Sequence, residues 1–508
     1  MKIITFYLPQ FHTIPENDEW WGKGFTEWTA VKNATPLFDG HYQPRMPLNG
    51  NYYNLLEKSV MENQAALMKK YGVYAQCFYH YYFKNGRKIL EKPAENLLSW
   101  ADIDMPFCFS WANESWVRTW GAVQSDGFNW APKFSKENIA GTQKKSILLE
   151  QSYGDKKDWI EHFYYLLPFF KDSRYVKKDN KPLFLIYRPE YIACLPEMLD
   201  CWRQLALKEG LEGLYIIASN RDDYEISCCD AFYCHAPGKA FAWVSSEAIG
   251  VNTKDYDDSW NALLSEFPKN EKKLFYGGFV DYDDTPRRGQ SGTVTVNVSP
   301  KKFEGYLRQL LRKSELYKND FVFLNAWNEW GEGMYLEPDE KNGYAYLEAV
   351  SNAMESYHQI NFSLDKDIIS IVEKKYQSRI EKYRGYWQLF DMWLFLKEQN
   401  ISIIQYFEEN GINSISVYGM GMMGCHLLAE LEQQNFEVVS IIDRKGGDSY
   451  NKIPVLTPDD KIFPICDAII VTVKYDFEQI KEKLSSKTDA VIISLFDIVQ
   501  TLYHNYYR

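Results

Sequence analysis

Two glutamates three positions apart, Glu329 and Glu332, are the residues whose type and spacing most directly permit chemistry. They follow the apolar run 321–324, which predicts a buried strand, and lie among tryptophans, asparagines and glycines. Residues at i and i+3 of a turn face the same side, so both carboxylates could act on one bound molecule. Two close carboxylates repel, which raises one pKa and creates an acid–base pair. Cleavage of a glycosidic bond is chemistry that such a pair performs.

A second segment of the same kind occurs earlier in the chain. Residues 111–114, Trp-Ala-Asn-Glu, also follow an apolar run. Two assignments are open at this point: Glu329 with Glu332, or Glu329 with Glu114 from across a barrel. We favour a role for Glu114 in binding substrate or orienting a catalytic group.

The elements that would position these groups alternate along the first part of the chain. Apolar runs predict strands over 2–8, 73–82, 105–111, 182–188, 213–219, 231–235, 273–280 and 321–327, and helices over 54–71, 155–171, 195–209, 300–317 and 343–357. This alternation predicts a (β/α)8 TIM barrel over residues 1–360, with a doubly wound open sheet as the alternative. The barrel is favoured because polar, aromatic-rich segments follow nearly every strand, as in a site at the C-terminal face.

The rest of the chain predicts a second α/β domain. Residues 361–410, with helices over 368–383 and 385–398, predict a helical linker, and 411–508 a small Rossmann-like parallel domain. Its Gly-x-Gly-x-x-Gly motif follows a strand, and an aspartate ends the next strand. These residues are Gly419, Gly421, Gly424 and Asp443. They predict a site for a nucleotide or nucleotide sugar, because N–H groups at a helix start bind diphosphates. The alternative is a domain used only for assembly.

The composition narrows the function classes. A net charge of −12 argues against nucleic acid as a partner, because phosphate binding needs a basic face. Nine cysteines without zinc-like spacing predict neither a metal site nor a disulfide framework. The absence of a long apolar run and of a signal core predicts a cytoplasmic protein without a transmembrane segment. Aromatic residues make up 16% of the chain, and tryptophans beside polar motifs favour a carbohydrate cleft.

Further residues at the predicted strand ends complete a candidate substrate site. A lone histidine on an apolar strand is usually a core residue, but a shared position at strand ends favours a site. Arg287 and Arg288 follow the seventh strand and could bind an anionic group or pair with Asp283 and Asp284. The candidate substrate-binding residues are Tyr7, His12, Trp28, Tyr79, Tyr81, Trp111, Asn113, Glu114, His235, Asp281, Arg288, Asn325, Trp327, Asn328 and Glu337.

Several long segments, in order, resemble the WbsX-like family of bacterial glycosyltransferases. The matching segments are 7–12 (YLPQFH), 24–28 (GFTEW), 41–44 (HYQP), 111–114 (WANE) and 327–333 (WNEWGEG). The resemblance covers roughly residues 1–355. It implies a role in O-antigen, lipopolysaccharide or capsular polysaccharide biosynthesis. The family is related to glycoside hydrolase family 99, whose members are retaining endo-α-mannosidases on a barrel of this type.

The resemblance also implies catalytic roles. Glu329 would be the base that deprotonates the sugar 2-hydroxyl, which attacks C1 to give a 1,2-anhydro sugar. Glu332 would protonate the leaving oxygen and then activate water or an acceptor. This route differs from retention through a covalent glycosyl-enzyme. Gly331 stands where the hydrolases typically carry His, which leaves the sugar and the reaction direction open.

Three functions follow as expectations. The first is a glycosyltransferase acting on an oligosaccharide or polysaccharide, associated with polysaccharide-assembly enzymes. The second is a retaining endo-glycosidase that degrades α-linked glycans. The third is a non-catalytic glycan-binding module, which the intact glutamate pair disfavours.

Overall fold

The chain forms two compact units, Met1–Val372 and Glu373–Arg508. The computed structural model describes residues 1–117, 127–128, 147–219, 226–242, 244, 247–248, 251–268, 271–361, 384–443, 449–460 and 463–506. Within these ranges no helix is both long and apolar enough to cross a membrane. The helix predicted over 368–383 lies outside the described residues.

The first unit is built on a closed parallel barrel. Its strands are β1 Lys2–Tyr7, β2 Ala75–Tyr82, β3 Phe107–Trp111, β4 Lys181–Ile186, β5 Tyr215–Ser219, β6 Ala231–Tyr233, β7 in two pieces (Lys273–Phe275 and Gly277–Phe279) and β8 Phe321–Asn325. The first piece of β7 pairs with β6 and the second with β8. Because β8 also pairs with β1, the sheet closes on itself. The predicted (β/α)8 barrel is confirmed.

The apolar runs form these strands because a barrel strand is buried on both faces. All five residues of β8 are buried, and Phe6, Tyr233 and Phe323 pack inside the barrel. The helices cover the outside with one apolar stripe each. In Pro300–Leu316, capped by the Ser299 side chain, the buried residues recur at helical spacing.

Helices and short strands connect the barrel strands. The longer helices are Lys58–Tyr71, Lys92–Ser99, Lys156–Lys171, Leu195–Lys208, Tyr256–Leu264, Pro300–Leu316 and Ala345–Ser356. Shorter ones are Pro15–Trp21, Glu27–Lys32, Gly238–Phe241 and Thr285–Arg288, with 3-10 turns at Leu48–Gly50, Lys84–Gly86, Pro189–Tyr191, Gly289–Ser291, Trp330–Glu332 and Tyr357–Gln359. Minor strands are Lys88–Ile89, Ser115–Val117, Gly127–Phe128, Ile147–Leu149, Lys177–Lys178, Glu247–Ala248, Asn252–Asp255, Thr293–Val296, Asn328–Glu329 and Met334–Tyr335.

The second unit contains a mixed six-stranded sheet. Its parallel strands are β9 Ser414–Tyr418, β10 Glu437–Ile442, β11 Ile453–Leu456, β12 Ala468–Val471 and β13 Val491–Ser494, with Ser449–Tyr450 antiparallel on the edge. Its helices are 384–398, Ile403–Glu409, Met422–Gln433, Phe477–Ser485 and Leu495–Tyr506. The parallel strands lie in the order β11-β10-β9-β12-β13, which is the strand order of Rossmann-type folds.

Two helices within the segment expected to be a linker contribute to the core of this unit. Leu389 and Trp393 from helix 384–398 and Phe407 from the next helix share one apolar cluster with the sheet. Buried Glu430 reinforces the contact, since its carboxylate accepts from the Trp393 indole N–H at 2.8 Å and from the Ile403 N–H at 3.1 Å.

A truncation tests this arrangement. We expect a fragment of residues 373–508 to melt cooperatively in circular dichroism, because it keeps the whole apolar cluster. A fragment of 411–508 lacks these helices, exposes apolar surface and removes four residues that bind Glu430, namely Trp393, Lys397, Ser402 and Ile403. We expect it to melt at a clearly lower temperature or without a transition. Equal melting of the two fragments would contradict this account.

Candidate functional site

A tight hairpin after β8 presents the two motif glutamates. Asn328–Glu329 pairs antiparallel with Met334–Tyr335, and the 3-10 turn Trp330–Glu332 connects them. Gly333 ends the turn with φ +64°, in the left-handed region that favours glycine. The hairpin therefore places Glu329 and Glu332 on one short turn at the C-terminal end of the barrel.

Both glutamates bind one buried arginine, which also binds a third carboxylate. Arg287 Nη2 donates to Glu329 Oε2 at 2.8 Å, and Nη1 donates to Glu332 Oε1 at 2.5 Å. Arg287 Nε and Nη2 donate to Glu27 Oε1 at 2.9 and 2.7 Å. The side chains of Arg287 and Glu27 are 2% and 0% exposed. We call these four residues the Arg287 cluster.

The cluster connects the segments that follow three neighbouring barrel strands. Glu27 begins the helix Glu27–Lys32, and its backbone N–H donates to the Gln10 carbonyl just after β1. Arg287 lies on the short helix Thr285–Arg288 that follows β7. The glutamates follow β8, which lies between β7 and β1 in the sheet. Contacts with the other two segments therefore hold each of the three segments in place.

Asp283 fixes the helix that carries Arg287. Its Oδ2 accepts from His41 Nε2 at 2.8 Å and from Gln43 at 2.6 Å, and its Oδ1 accepts from the Thr285 hydroxyl at 2.6 Å. Its N–H donates to the Glu332 carbonyl at 2.6 Å. These hydrogen bonds, led by the one from His41, and the Arg45 charge lower the pKa of the Asp283 carboxyl against the effect of burial. His41 and Gln43 of the segment 41–44 thus have a structural role, because they bind the carboxylate that fixes the Arg287 helix.

Residue 331 has no space for a side chain. A Cβ atom on Gly331 would lie 1.7 Å from Glu27 Oε1 and 2.8 Å from Arg287 Nε, distances that no real contact allows. The Glu27 carboxylate is buried and accepts two hydrogen bonds from Arg287, so it cannot move away from residue 331 at low cost in free energy. The glycine in the sequence Trp-Gly-Glu is therefore a requirement of the Arg287 cluster.

The cluster holds more negative than positive charge. Burial raises the pKa of the Glu329 carboxyl to about 8, with Glu332 and Glu27 adding to the rise and Arg287 opposing it. Glu329 therefore keeps its proton to a higher pH than an exposed glutamate does. A protonated carboxyl beside a second carboxyl can donate a proton to an oxygen or, once ionised, accept one.

Two tyrosines of β2 face the same glutamates. Tyr79 and Tyr81 lie two positions apart, so they share one face of the strand. Burial and the negative charge of Glu329 raise the pKa of both phenols, and Arg287 opposes the rise at Tyr81. The structure therefore brings four predicted site residues together.

Two more predicted residues, His235 and Asn325, lie near Tyr79, and the Phe6 ring contacts both Tyr79 and His235. The Phe6 ring stacks on Tyr79 at 5.5 Å and lies 5.8 Å from the His235 ring. Asn325 Nδ2 lies 3.4 Å from His235 Nε2 and donates to the Ala236 carbonyl. Burial lowers the pKa of His235 to about 3, so its imidazole is neutral.

Glu337 holds the motif tryptophans in place. Its carboxylate accepts from the Trp327 and Trp330 indole N–H groups at 3.0 and 2.7 Å, from the Tyr53 hydroxyl at 2.7 Å and from Gln64 at 2.7 Å. Burial raises its pKa to about 7 although these hydrogen bonds lower it. The predicted residue Tyr7 joins this network through Gln64 at 2.7 Å. In this structure the Glu337 oxygens bind protein donors.

Several other predicted residues are likewise buried and bonded to the protein. Trp28, Trp111 and Trp327 are 5%, 3% and 0% exposed, which leaves no indole face open for a sugar. Asn328 exchanges two hydrogen bonds with the Leu8 backbone, and Asn113 does the same with Arg188. His12 Nδ1 lies 2.9 Å from the Pro9 carbonyl, and burial lowers its pKa to about 4.

The remaining predicted residues form separate ion pairs. Glu114 binds Arg188 (Oε1–Nε 2.9 Å) rather than the Arg287 cluster, and burial raises its pKa. Asp281 binds Arg45 at 2.8 Å. Arg288 binds Asp284 at 2.8 Å, which is one of the two alternatives that the sequence left open for it.

Glu27 is the member of the cluster that the sequence did not indicate. For Arg287 the sequence left open an anionic ligand or a pair with Asp283 and Asp284, whereas the structure pairs it with Glu27, Glu329 and Glu332. A charged residue between aromatic residues could have indicated Glu27 as a buried charge. Glu27 lies between buried Phe25 and Trp28, and a buried charge needs a partner. Nothing in the sequence showed that the partner lies 260 positions away.

The glycine loop of the second unit has the predicted position after β9. Gly421 caps the helix Met422–Gln433, and a Cβ atom on Gly424 would lie 1.9 Å from the Gly419 carbonyl oxygen. Gly424 therefore permits close packing of helix against strand. Asp443 Oδ2 accepts from the Met420 N–H at 2.7 Å. Nucleotide binding at this loop stays a prediction.

Fold and site define a (β/α)8-barrel protein with a carboxylate–arginine cluster at the C-terminal ends of its strands. Residues 3–350 match the sequence model of the family described as Glycosyltransferase WbsX. The chain belongs to the WbsX glycosyltransferase family. The resemblance of its motifs is thereby confirmed.

The chain is also similar to proteins named WxcX, described as uncharacterized, from two strains of Xanthomonas campestris pv. campestris. Each is 32% identical over 364 residues, which cover 69% of this chain and 49% of the relative. The chain thus spans about half the length of these relatives.

Among solved structures, two of the GH99 endo-alpha-mannosidase from Bacteroides thetaiotaomicron are similar to this chain, one of them in complex with bis-tris-propane. Their identities are 14% and 13% and their TM-scores 0.44 and 0.43. Each alignment covers 70% of this chain and 97% of the other.

The raised pKa of Glu329 has a consequence for stability. The folded protein keeps this proton up to about pH 8, whereas an unfolded glutamate loses it near the ordinary value of 4.5, so stability falls as pH rises between these values. Glu329→Gln cannot ionise. We expect the free energy of unfolding of the variant, relative to wild type, to rise by up to about 1.4 kcal/mol per pH unit in this window.

Urea unfolding of the full chain at a series of pH values measures this difference. The control Glu304→Gln changes a partly exposed glutamate that pairs with Arg308 and lies outside the Arg287 cluster. It should keep the wild-type pH dependence. A Glu329→Gln variant with the same pH dependence as wild type would show that Glu329 is ionised throughout.

Proposed function

We propose that this protein is a carbohydrate-active enzyme that cleaves or transfers glycosyl groups with Glu329 and Glu332. The observation that carries the proposal is the pair of glutamates on one turn, bound to one buried arginine, in a chain of a glycosyltransferase family. Two close carboxyl groups with different environments are what acid–base chemistry on a glycosidic bond requires.

The proposed reaction uses retention of configuration. Glu329, once ionised, takes the proton of the sugar 2-hydroxyl, whose oxygen attacks C1. Glu332 protonates the leaving oxygen as its bond to C1 breaks. In the second step Glu332 removes a proton from the incoming hydroxyl, whose oxygen attacks C1, the C1–O2 bond breaks, and Glu329 returns its proton to O2. The side chain of Glu332 is 20% exposed and that of Glu329 6%, so Glu332 is the better placed to exchange protons with a leaving group or acceptor.

The substrate is proposed to be an oligosaccharide or polysaccharide of bacterial surface-glycan assembly, such as O-antigen, made in the cytoplasm beside other assembly enzymes. Family membership and the glycine loop of the second unit support biosynthesis. The alternative is an endo-glycosidase for α-linked glycans. Water and a sugar hydroxyl can each resolve the same intermediate, so both functions use the same two glutamates.

Glu332→Gln tests the catalytic assignment. We expect kcat to fall by about 10²–10⁴-fold while binding is kept, because the amide retains the shape but cannot transfer a proton. Turnover would be measured with a panel of nitrophenyl glycosides and with nucleotide sugars plus an oligosaccharide acceptor, and binding by calorimetry. Glu340→Gln, a change on an exposed glutamate that accepts from the Asn49 N–H, is the matched control.

Glu114→Gln in the same assays addresses the other carboxylate. Its carboxylate binds Arg188, so we expect a milder loss than for Glu329→Gln. An equal loss would give Glu114 the role of partner to Glu329. Unchanged turnover in Glu332→Gln would remove the proposed mechanism.

The pH profile tests whether the pair works with one shared proton. The proposed reaction needs Glu329 ionised and Glu332 protonated, so kcat/KM should fall as pH rises through about 8, where the pair in the free enzyme loses its last proton. A kcat/KM that rises with pH through this range would contradict the acid role of Glu332.

A further inference from the structure

Glu27 and Arg287 have no part in the bond cleavage proposed above, yet they are buried against both residues that do. Arg287 donates to three carboxylates, and its planar guanidinium fixes the direction of each bond. A lysine at this position would offer one point charge and could not hold the three groups in this arrangement.

On the basis of the proposed function, we propose that Glu27 and Arg287 are positioning residues for Glu329 and Glu332. They hold the two glutamates in a fixed arrangement and set the balance of charge around Glu329. Residue 331 is glycine because the Glu27 carboxylate occupies the space that a side chain would need.

The geometry of Glu27 supports this role. Its carboxylate is 0% exposed and takes two hydrogen bonds from Arg287, and its backbone N–H is fixed to the Gln10 carbonyl at 3.0 Å. Moving Glu27 away from Arg287 would separate two buried opposite charges, which is costly. A methyl group on residue 331 would force that separation.

The charges that face Glu329 come from every element around it. Glu27 follows β1, Tyr79 and Tyr81 belong to β2, Arg287 follows β7, and Glu332 lies on the same turn as Glu329. Glu27→Gln keeps an oxygen that accepts from Arg287 but removes one negative charge, so the pKa of Glu329 should fall. Arg287→Lys loosens the bond to Glu329, so that pKa should rise.

Infrared difference titration of the full chain measures this pKa without any substrate. The C=O band of the protonated Glu329 carboxyl is assigned by its loss in Glu329→Gln. We expect its midpoint to move to lower pH in Glu27→Gln and to higher pH in Arg287→Lys. The matched control is Arg203→Lys, an arginine paired with Asp230 at 3.1 Å outside the Arg287 cluster, which should leave the midpoint unchanged.

The steric part is tested by a double-mutant cycle on melting temperature. Gly331→Ala should lower the melting temperature strongly in wild type and clearly less in Glu27→Ala, because the 1.7 Å clash with Glu27 Oε1 is then absent and only the 2.8 Å approach to Arg287 Nε remains. An equal loss in both backgrounds would overturn the steric assignment. An unchanged midpoint in Glu27→Gln would overturn the electrostatic one, even if Arg287→Lys fails to fold.

Turnover assays complete the design where a substrate is found. Glu27→Gln and Arg287→Lys should lower kcat with KM little changed, and Glu27→Gln should shift the limb of the pH profile together with the infrared midpoint. A fall in kcat without that shift would indicate a purely structural role and overturn the proposal. If no glycoside or nucleotide sugar is turned over, the proposed function fails while the titration and the cycle still decide the positioning role.

Discussion

The buried guanidinium of Arg287 is the constraint on which this end of the barrel depends. Removing one partner of a buried ion pair costs about 3–5 kcal/mol, because the other charge stays buried without compensation. Here one arginine serves Glu27, Glu329 and Glu332, so each of three loops is held by the other two. The loops follow adjacent strands, β7, β8 and β1. The parallel barrel brings these strand ends together, and the cluster converts that proximity into a defined arrangement of side chains.

Two further buried carboxylates support the cluster from outside. Asp283 ties the segment 41–45 to the helix that carries Arg287, and Glu337 ties both motif indoles to Tyr53 and Gln64. The tryptophans of the motif therefore act as hydrogen-bond donors that fix the hairpin. Their aromatic faces pack against the protein, as in the stack of Trp330 on Tyr335 at 3.7 Å. A buried carboxylate with several donors is a rigid anchor, which suits a site whose geometry must not relax.

The sequence predicted the barrel well because its signal is local. A strand buried on both faces is a continuous apolar run, and β8 and β4 show this in their own residues. The spacing of Glu329 and Glu332 was local too, and the structure places both on one turn. The partner of a buried charge is not a local property. Arg287 binds Glu27 from 260 positions away, and its neighbour Arg288 binds Asp284 instead, although the two arginines look alike in the sequence. The exposure of Trp28 and Trp111 also depends on tertiary packing. Tryptophans beside polar motifs suggested a sugar-binding surface, but the fold buries both side chains.

The position of the proton among the carboxyl groups of the Arg287 cluster links its geometry to the proposed chemistry. Three carboxyl groups around one guanidinium cannot all stay ionised in a buried site without large cost, and burial together with the charges of Glu332 and Glu27 raises the pKa of Glu329. A base role for Glu329 then requires that the proton leaves it, and Glu332, the more exposed of the two motif carboxylates, is an acceptor that shares Arg287. Because both glutamates bond to the same guanidinium, a proton that moves from one to the other leaves the total charge of the cluster unchanged. Such a transfer would produce the ionised base and the protonated acid in one step.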